Sequence, residues 1–262
     1  MDIKKYTEAN RKAWNEVAPK HEELKREAKK QFIDEPGFSC LDETVTRELA
    51  AIGLSGKHVA QLCCNDGVET LSLKNLGAAA VTGFDISDGA IASAQRLAEE
   101  AGIESTFVRT DVYEIPKDFD RQFDLIYISA GALIWLPDLP GFFAVAERLL
   151  KPGGALLIYE IHPLLNMIDE EAAVPRMKYS YFVKEPQAYN EGLTYLGNDP
   201  YEASTAYNFN PTVADIVNAV VSNRFRLRKL EEFPHDLSPM FEHLEACRVR
   251  IPMSLLLSAE KD

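Results

Sequence analysis

Residues 58–85 read HVAQLCCNDGVETLSLKNLGAAAVTGFD. An apolar strand at 58–62 runs into a tight loop, CCNDG, at 63–67. A helix over 68–76 and a second strand over 79–84 follow, and that strand ends on a carboxylate, Asp85. This is the opening β-α-β unit of a nucleotide-binding α/β sheet. The turn lets backbone N–H groups approach a ligand at a helix N-terminus. An acid at the second strand tip can take the two hydroxyls of a ribose.

The alternation continues outward from this unit. The pattern predicts a helix over 87–101, capped by Ser87 and closed by Gly102, and a third strand over 104–109 that leads to Asp111. FDLIYIS at 123–129 reads as a strand buried on both faces. A helix over 140–150 stops at the KPGG turn, and ALLIYE at 155–160 is a fifth strand. Upstream, 4–31 is charged and helical, with Trp14, Val17, His21 and Leu24 on one stripe, and 38–52 is a second amphipathic helix. Downstream, a helix over 212–223 and strands over 225–232 and 249–259 complete a seven-stranded sheet with helices on both faces.

Between the fifth strand and that last part the rhythm breaks. Residues 164–210 hold Tyr179, Tyr181, Tyr189, Tyr195, Tyr201 and Tyr207, with Phe182 and Phe209. Three readings stay open: a hairpin stabilised by aromatic cross-strand pairs, a cover over a substrate pocket, or an arm exchanged within a homodimer.

The 262 residues suit one large α/β domain, and their net charge is −13. Such a surface repels a polyanion, which argues against tRNA, rRNA or DNA as partner. The basic run NRFRLRK (223–229) reads instead as the exposed face of a strand. No apolar run reaches a membrane-spanning length and the N-terminus has no signal-like apolar core, so the expectation is a cytoplasmic protein with no membrane association. Cys40, Cys63, Cys64 and Cys247 show no metal-ligand spacing and read as reduced thiols, and no metal is expected.

These residues carry a resemblance to the class I S-adenosylmethionine-dependent methyltransferases, over about 10–165 and again over 211–260. The first loop of that family runs roughly D-x-G-x-G-x-G; here Gln61, Cys63 and Asn65 replace the acid and two glycines, and Gly67 remains. GFDIS, Arg109-Thr-Asp-Val112, FDLIYISAGALIWLPD and LLKPGGALLIYE match the later motifs. NRKAWNEVAPKHEE resembles the family's lid helix, with His21 in place of a tyrosine. The resemblance implies a Rossmann-like α/β fold whose seven-stranded sheet is mostly parallel with an antiparallel last strand. It divides the single domain into a helical lid (1–35), a cofactor core (36–163), a substrate-cap insertion (164–210) and a returning core segment (211–262).

S-adenosyl-L-methionine is the implied cofactor. Its contacts are expected at Trp14, His21, Gln61, Cys63, Asn65, Gly67, Asp85, Ile86, Asp111, Val112, Ser129 and Ala130: ribose at Asp85, adenine at Asp111 and Val112. Each has a plainer alternative, Asp85 as a cap for the helix near Ser87 and Asp111 as the start of a turn. Asn65 tolerates positive φ and so can replace a glycine. Gln61 cannot put a negative charge beside the cofactor ammonium. His162, after the fifth strand, is the candidate general base, against the alternative of a turn histidine. SAGA after the fourth strand lacks the [DN]-P-P-[YF] signature of amino-methylating nucleic-acid enzymes. The expected reaction is therefore in-line methyl transfer to a small-molecule acceptor. A cofactor-binding regulator without turnover, an RNA- or protein-directed methyltransferase, and a nicotinamide-dependent dehydrogenase are the rivals.

Overall fold

The computed structural model describes residues 2–190, 203–238 and 240–262. Seven strands form the main sheet: β1 (His58–Leu62), β2 (Ala80–Asp85), β3 (Thr106–Arg109), β4 (Phe123–Ile128), β5 (Leu150–Ile161), β8 (Phe225–Phe233) and β9 (Ser254–Lys261). A separate two-stranded sheet holds β6 (Gln187–Tyr189) and β7 (Ala206–Asn208). The main sheet runs β3-β2-β1-β4-β5-β9-β8. Only β9 runs against the other six strands, pairing antiparallel with β5 on one side and β8 on the other. The order reverses between β1 and β4, where the crossovers leave to opposite sides and open a crevice at the carboxyl ends of the strands.

The helices are α1 (Ile3–Leu24), α2 (Arg26–Asp34), α3 (Glu43–Ile52), α4 (Val68–Asn75), α5 (Asp88–Ala101), α6 (Leu139–Leu149) and α7 (Val213–Ser222). Ala60, Leu62, Ile126 and Ile128 on one face of the sheet pack on Phe142, Phe143 and Leu149 of α6 and on Ile216 and Val220 of α7. Val59, Leu125, Tyr127 and Leu157 on the other face pack on Val45 and Leu49 of α3 and Leu73 of α4. A side-chain alternation of two along each strand supplies both faces at once, which is why FDLIYI reads as uniformly apolar.

Several element bounds differ from the sequence reading. The N-terminal helix breaks at Lys25, whose φ of −92° and ψ of 2° start a new axis for α2. The next helix starts at Glu43 rather than 38, because Asp42 is extended and accepts the Val45 N–H at 3.0 Å. The last strand starts at Ser254 and not at 249. Ser87 and Gly102 close α5 as expected: Ser87 Oγ accepts the Ala90 N–H, and Gly102 is left-handed at φ +64°. Thr212 and Asp215 form a capping box at the start of α7.

In the insertion, β6 and β7 pair antiparallel through Gln187 with Asn208, Ala188 with Tyr207 and Tyr189 with Ala206. Tyr195 and Tyr201 lie outside the described residues. Tyr207 and Phe209 both meet Tyr6 edge to face, with ring centroids 5.0 and 5.3 Å away. Asn10 of α1 takes the Tyr207 N–H and donates to the Tyr207 carbonyl, completing the edge of β7 with a side chain. The insertion is thereby fastened to the first helix of the chain.

Candidate active site

The loop after β1 turns on three left-handed residues, Cys63 (φ +58°), Asn65 (φ +48°) and Gly67 (φ +76°). Asn accepts that conformation through its short polar side chain. Cys63 does so without such help, and sequence offered no sign of it beyond the family's glycine at that place. At Gly67 a Cβ would come within 2.7 Å of both Ala94 and the Phe107 ring, so the glycine also permits close helix–strand packing. Burial pushes the Cys63 thiol well above its ordinary range, and the charges of Asp85, Asp111 and Glu160 push the same way, so it stays protonated.

Asp85, half-buried at the tip of β2, accepts the Asn65 N–H on one oxygen and the Ser87 N–H on the other, each at 2.8 Å. It thus ties the first loop to the start of α5. Burial raises its pKa, against the backbone N–H groups of Ser87, Asn65 and Ile86. Asp111 follows β3 and caps a 3-10 turn (Val112–Glu114), accepting the Tyr113 N–H at 3.0 Å. Val112 is buried, Ile86 half-buried and Ala130 exposed. Ser129, buried at the end of β4, accepts from Gln61 Nε2 at 3.0 Å. The loop after β1, Asp85, Asp111 and Ser129 therefore stand side by side at the carboxyl ends of four adjacent strands.

α1 packs against this edge. Asn15 accepts from Ser87 Oγ and the Gly89 N–H and donates to Asp88. A Cβ on Gly89 would sit 2.7 Å from Ala18 Cβ, so α1 and α5 approach as closely as a glycine allows. Trp14 meets Trp135 edge to face at 5.5 Å and lies 5.9 Å from the His21 ring, and His21 is buried.

A second feature of this contact was not read from the sequence. Lys29 of α2 is 5% exposed, and its Nζ reaches Glu22 at 2.7 Å, Ser93 at 2.6 Å and Asp66 of the first loop at 3.2 Å. Lys25 also reaches Asp66 at 3.2 Å. Burial raises the Asp66 carboxyl, but the two ammonium groups outweigh it and hold its pKa below the ordinary value. Among scattered helix charges this partnership had no local signature, because its members come from α1, α2, α5 and the loop.

Glu160 was also missed. It stands one residue before the end of β5, much as Asp85 ends β2, so a similar strand-tip signal was present. The carboxylate is buried and accepts four backbone N–H groups: Gly131 and Ile161 on one oxygen, Ala132 and Leu133 on the other. It therefore cinches the loop after β4 to the end of β5. Burial pushes its pKa up to about 7, against those donors. Beside it lies an apolar recess of about 50 Å³, lined by Leu133, Ile134, Ile161, Pro163 and Ile216 together with Glu160.

His162 is buried next to this recess but does not line it. Its Nδ1 accepts the Leu164 N–H at 3.0 Å, which places the proton on Nε2, 2.8 Å from Glu232. Burial lowers its pKa against the pull of Glu232. With one nitrogen accepting and the other donating, the ring has no lone pair directed to a substrate. It caps the 3-10 turn Pro163–Met167 that begins the insertion. The plainer reading of a turn histidine describes this geometry.

Among the described residues no three His, Cys, Asp or Glu side chains stand together as a metal site, and no helix is long and apolar enough to cross a membrane. The basic run on β8 is neutralised. Arg226 and Arg228 pair with Glu260, and Lys229 pairs with Glu48 and Glu231.

Residues 59–154 match the family model of a methyltransferase domain. With the strand order and the single antiparallel strand, this match supports a class I S-adenosylmethionine-dependent methyltransferase. The similarity extends to a probable phthiotriol/phenolphthiotriol dimycocerosates methyltransferase 2 of Mycobacterium ulcerans, 30% identical over 145 residues, which are 55% of this chain and 54% of that protein. A ubiquinone biosynthesis O-methyltransferase of Pseudomonas aeruginosa is 27% identical over 110 residues, 42% of this chain and 47% of its own. The chain spans about half the length of the curated relatives it matches. Among solved structures, an S-adenosylmethionine-dependent methyltransferase from Mesorhizobium loti superposes with a TM-score of 0.55 at 22% identity, over 82% of this chain and 96% of that one. At that identity the likeness is one of fold.

Proposed function

We propose that the protein transfers a methyl group from S-adenosyl-L-methionine to a small, largely apolar acceptor seated at the carboxyl ends of β4 and β5. The donor set fits the cofactor. Asp85 offers a carboxylate for ribose hydroxyls, Asp111 and Val112 follow the neighbouring strand β3 where adenine would lie, and the left-handed turn at Cys63–Gly67 leaves backbone close to the ligand. Ile86, Ser129 and Ala130 complete the floor, and Trp14 and His21 on α1 form the cover. When bound, the cofactor supplies a sulfonium-activated methyl group.

The observation that carries the acceptor side is the recess beside Glu160, with its mainly apolar lining one strand beyond Ser129. At about 50 Å³ it admits only part of a molecule, so it receives one apolar end of the acceptor. Methyl transfer needs alignment and exclusion of water more than proton transfer. The tryptophan pair Trp14–Trp135 and the fastened insertion supply that exclusion. His162 then serves as a fixed turn rather than a base. The names of the curated relatives, acting on lipid-like and quinone-pathway molecules, support an acceptor of this kind. The charge of −13 and the neutralised face of β8 support it over RNA.

Turnover measured as S-adenosylhomocysteine release, with a panel of apolar phenols, prenylated alcohols and fatty acids as acceptors, tests the proposal. A methylated product from at least one of them is expected. Methylation of RNA or protein alone would overturn the assignment.

A further inference from the structure

Position 61, at the tip of β1, holds glutamine where the sequence pattern otherwise has an acid. The structure shows what surrounds it. Gln61 Oε1 accepts from Thr70 Oγ1 at 2.6 Å, which fixes the amide's orientation. Its Nε2 then donates to Ser129 Oγ at 3.0 Å and to Glu69 Oε2 at 2.7 Å. Glu69 lies in the first turn of α4, two residues past Gly67. A carboxylate lost from the strand tip thus reappears on the adjoining helix turn, held in place by the side chain that replaced it.

The sheet order says which part of the ligand this carboxylate meets. Adjacent strands lie about 4.8 Å apart. With adenine at the end of β3 and ribose at the end of β2, the sulfur and its amino-acid chain continue over β1 and β4. Gln61, Glu69 and Ser129 converge there. A carboxylate held among neutral donors in a half-buried place gains most from an arriving cation. Resting on the cofactor reading above, we infer that Glu69, positioned by Gln61, receives the α-ammonium of S-adenosylmethionine in place of an acid at the strand tip. Burial raises the pKa of Glu69, against hydrogen bonds from Ser129 and Gln61 and the charge of Lys25, with Asp66 raising it further. A bound ammonium would reverse that rise.

Calorimetric titration of the full chain separates this role from a structural one. S-adenosylhomocysteine carries the ammonium; 5′-methylthioadenosine shares the nucleoside and thioether but lacks the amino-acid end. Glu69→Gln should weaken binding of the first by about tenfold or more and of the second by no more than about twofold. The charge-exchanged double variant Gln61→Glu/Glu69→Gln should recover most of the loss. Glu69→Asp, which keeps the charge but shortens its reach, should fall between wild type and Glu69→Gln, and it supplies the comparison should the Gln variant not fold. Unchanged affinity for S-adenosylhomocysteine in Glu69→Gln, or equal losses for both ligands, would overturn the role of Glu69 alone. A wild-type chain that binds neither ligand would overturn the cofactor reading with it.

Discussion

Asp85 holds two backbone N–H groups, from Asn65 and Ser87, before any ligand is considered. The two readings open from sequence, helix cap and ribose acceptor, therefore describe one side chain. The carboxylate is preset by the loop and the helix start, and its remaining lone pairs are those a diol would use. Asp85→Ala should lower affinity for S-adenosylhomocysteine by at least about tenfold, through loss of charge-assisted bonds. It should also lower the melting temperature, since the Asn65 and Ser87 N–H groups lose their acceptor. Calorimetry and thermal unfolding check both, and unchanged affinity would remove Asp85 from the cofactor site. Asn65 and Cys63 show the reach and limit of residue-level reading. Positive φ at Asn65 follows from its chemistry, whereas at Cys63 only the folded loop reveals it.

At the scale of elements, α1 and α2 are held to the first loop by a buried ionic group as well as by Phe32, which joins Cys64, Ile91 and Phe107 in an apolar cluster. Lys29 joins Glu22, Ser93 and Asp66, so two helices, a third helix and the loop share one ammonium. Removing one member of a buried pair leaves the other charged and unsolvated, and costs more than the pair contributes. Lys29→Ala should destabilise the protein by about 3–5 kcal/mol in urea unfolding. A loss below about 1 kcal/mol would mean the cluster behaves as a solvated surface pair. The break at Lys25 gives α2 its own axis, and that axis brings Lys29 onto Asp66. A single helix over 4–31, as the charge pattern suggests, would not have made this turn.

For the molecule as a whole, the buried carboxylates set an uncommon pH dependence. Asp66 has a lowered pKa, so its contribution is present above the ordinary aspartate value and is lost as pH falls through its folded value. Glu160 works in the opposite sense. Its pKa rises from 4.5 to about 7, so the folded state holds a proton that the unfolded chain has released, and stability falls as pH rises across that window. Asp85 and Glu69, also raised by burial, act in the same sense as Glu160. Urea unfolding at about pH 5 and about pH 8 should show wild type losing up to ~3 kcal/mol more between the two than Glu160→Gln does. Equal losses would show that the four backbone donors keep Glu160 ionised throughout.

Periodicity and turn chemistry made the architecture legible from the chain alone: the α/β alternation, the caps of α5 and the carboxylate at the tip of β2 all follow from local rules of spacing and backbone conformation, while the antiparallel last strand came with the family resemblance. Tertiary structure alone decided the partnerships. Which charges Lys29 neutralises, that Glu160 gathers the loop after β4, that Glu232 meets His162, and that Glu69 stands against Gln61 depend on residues between 7 and 70 positions apart. No local pattern encodes such pairs, because the free energy of a buried polar group is set by whatever the folded chain brings beside it.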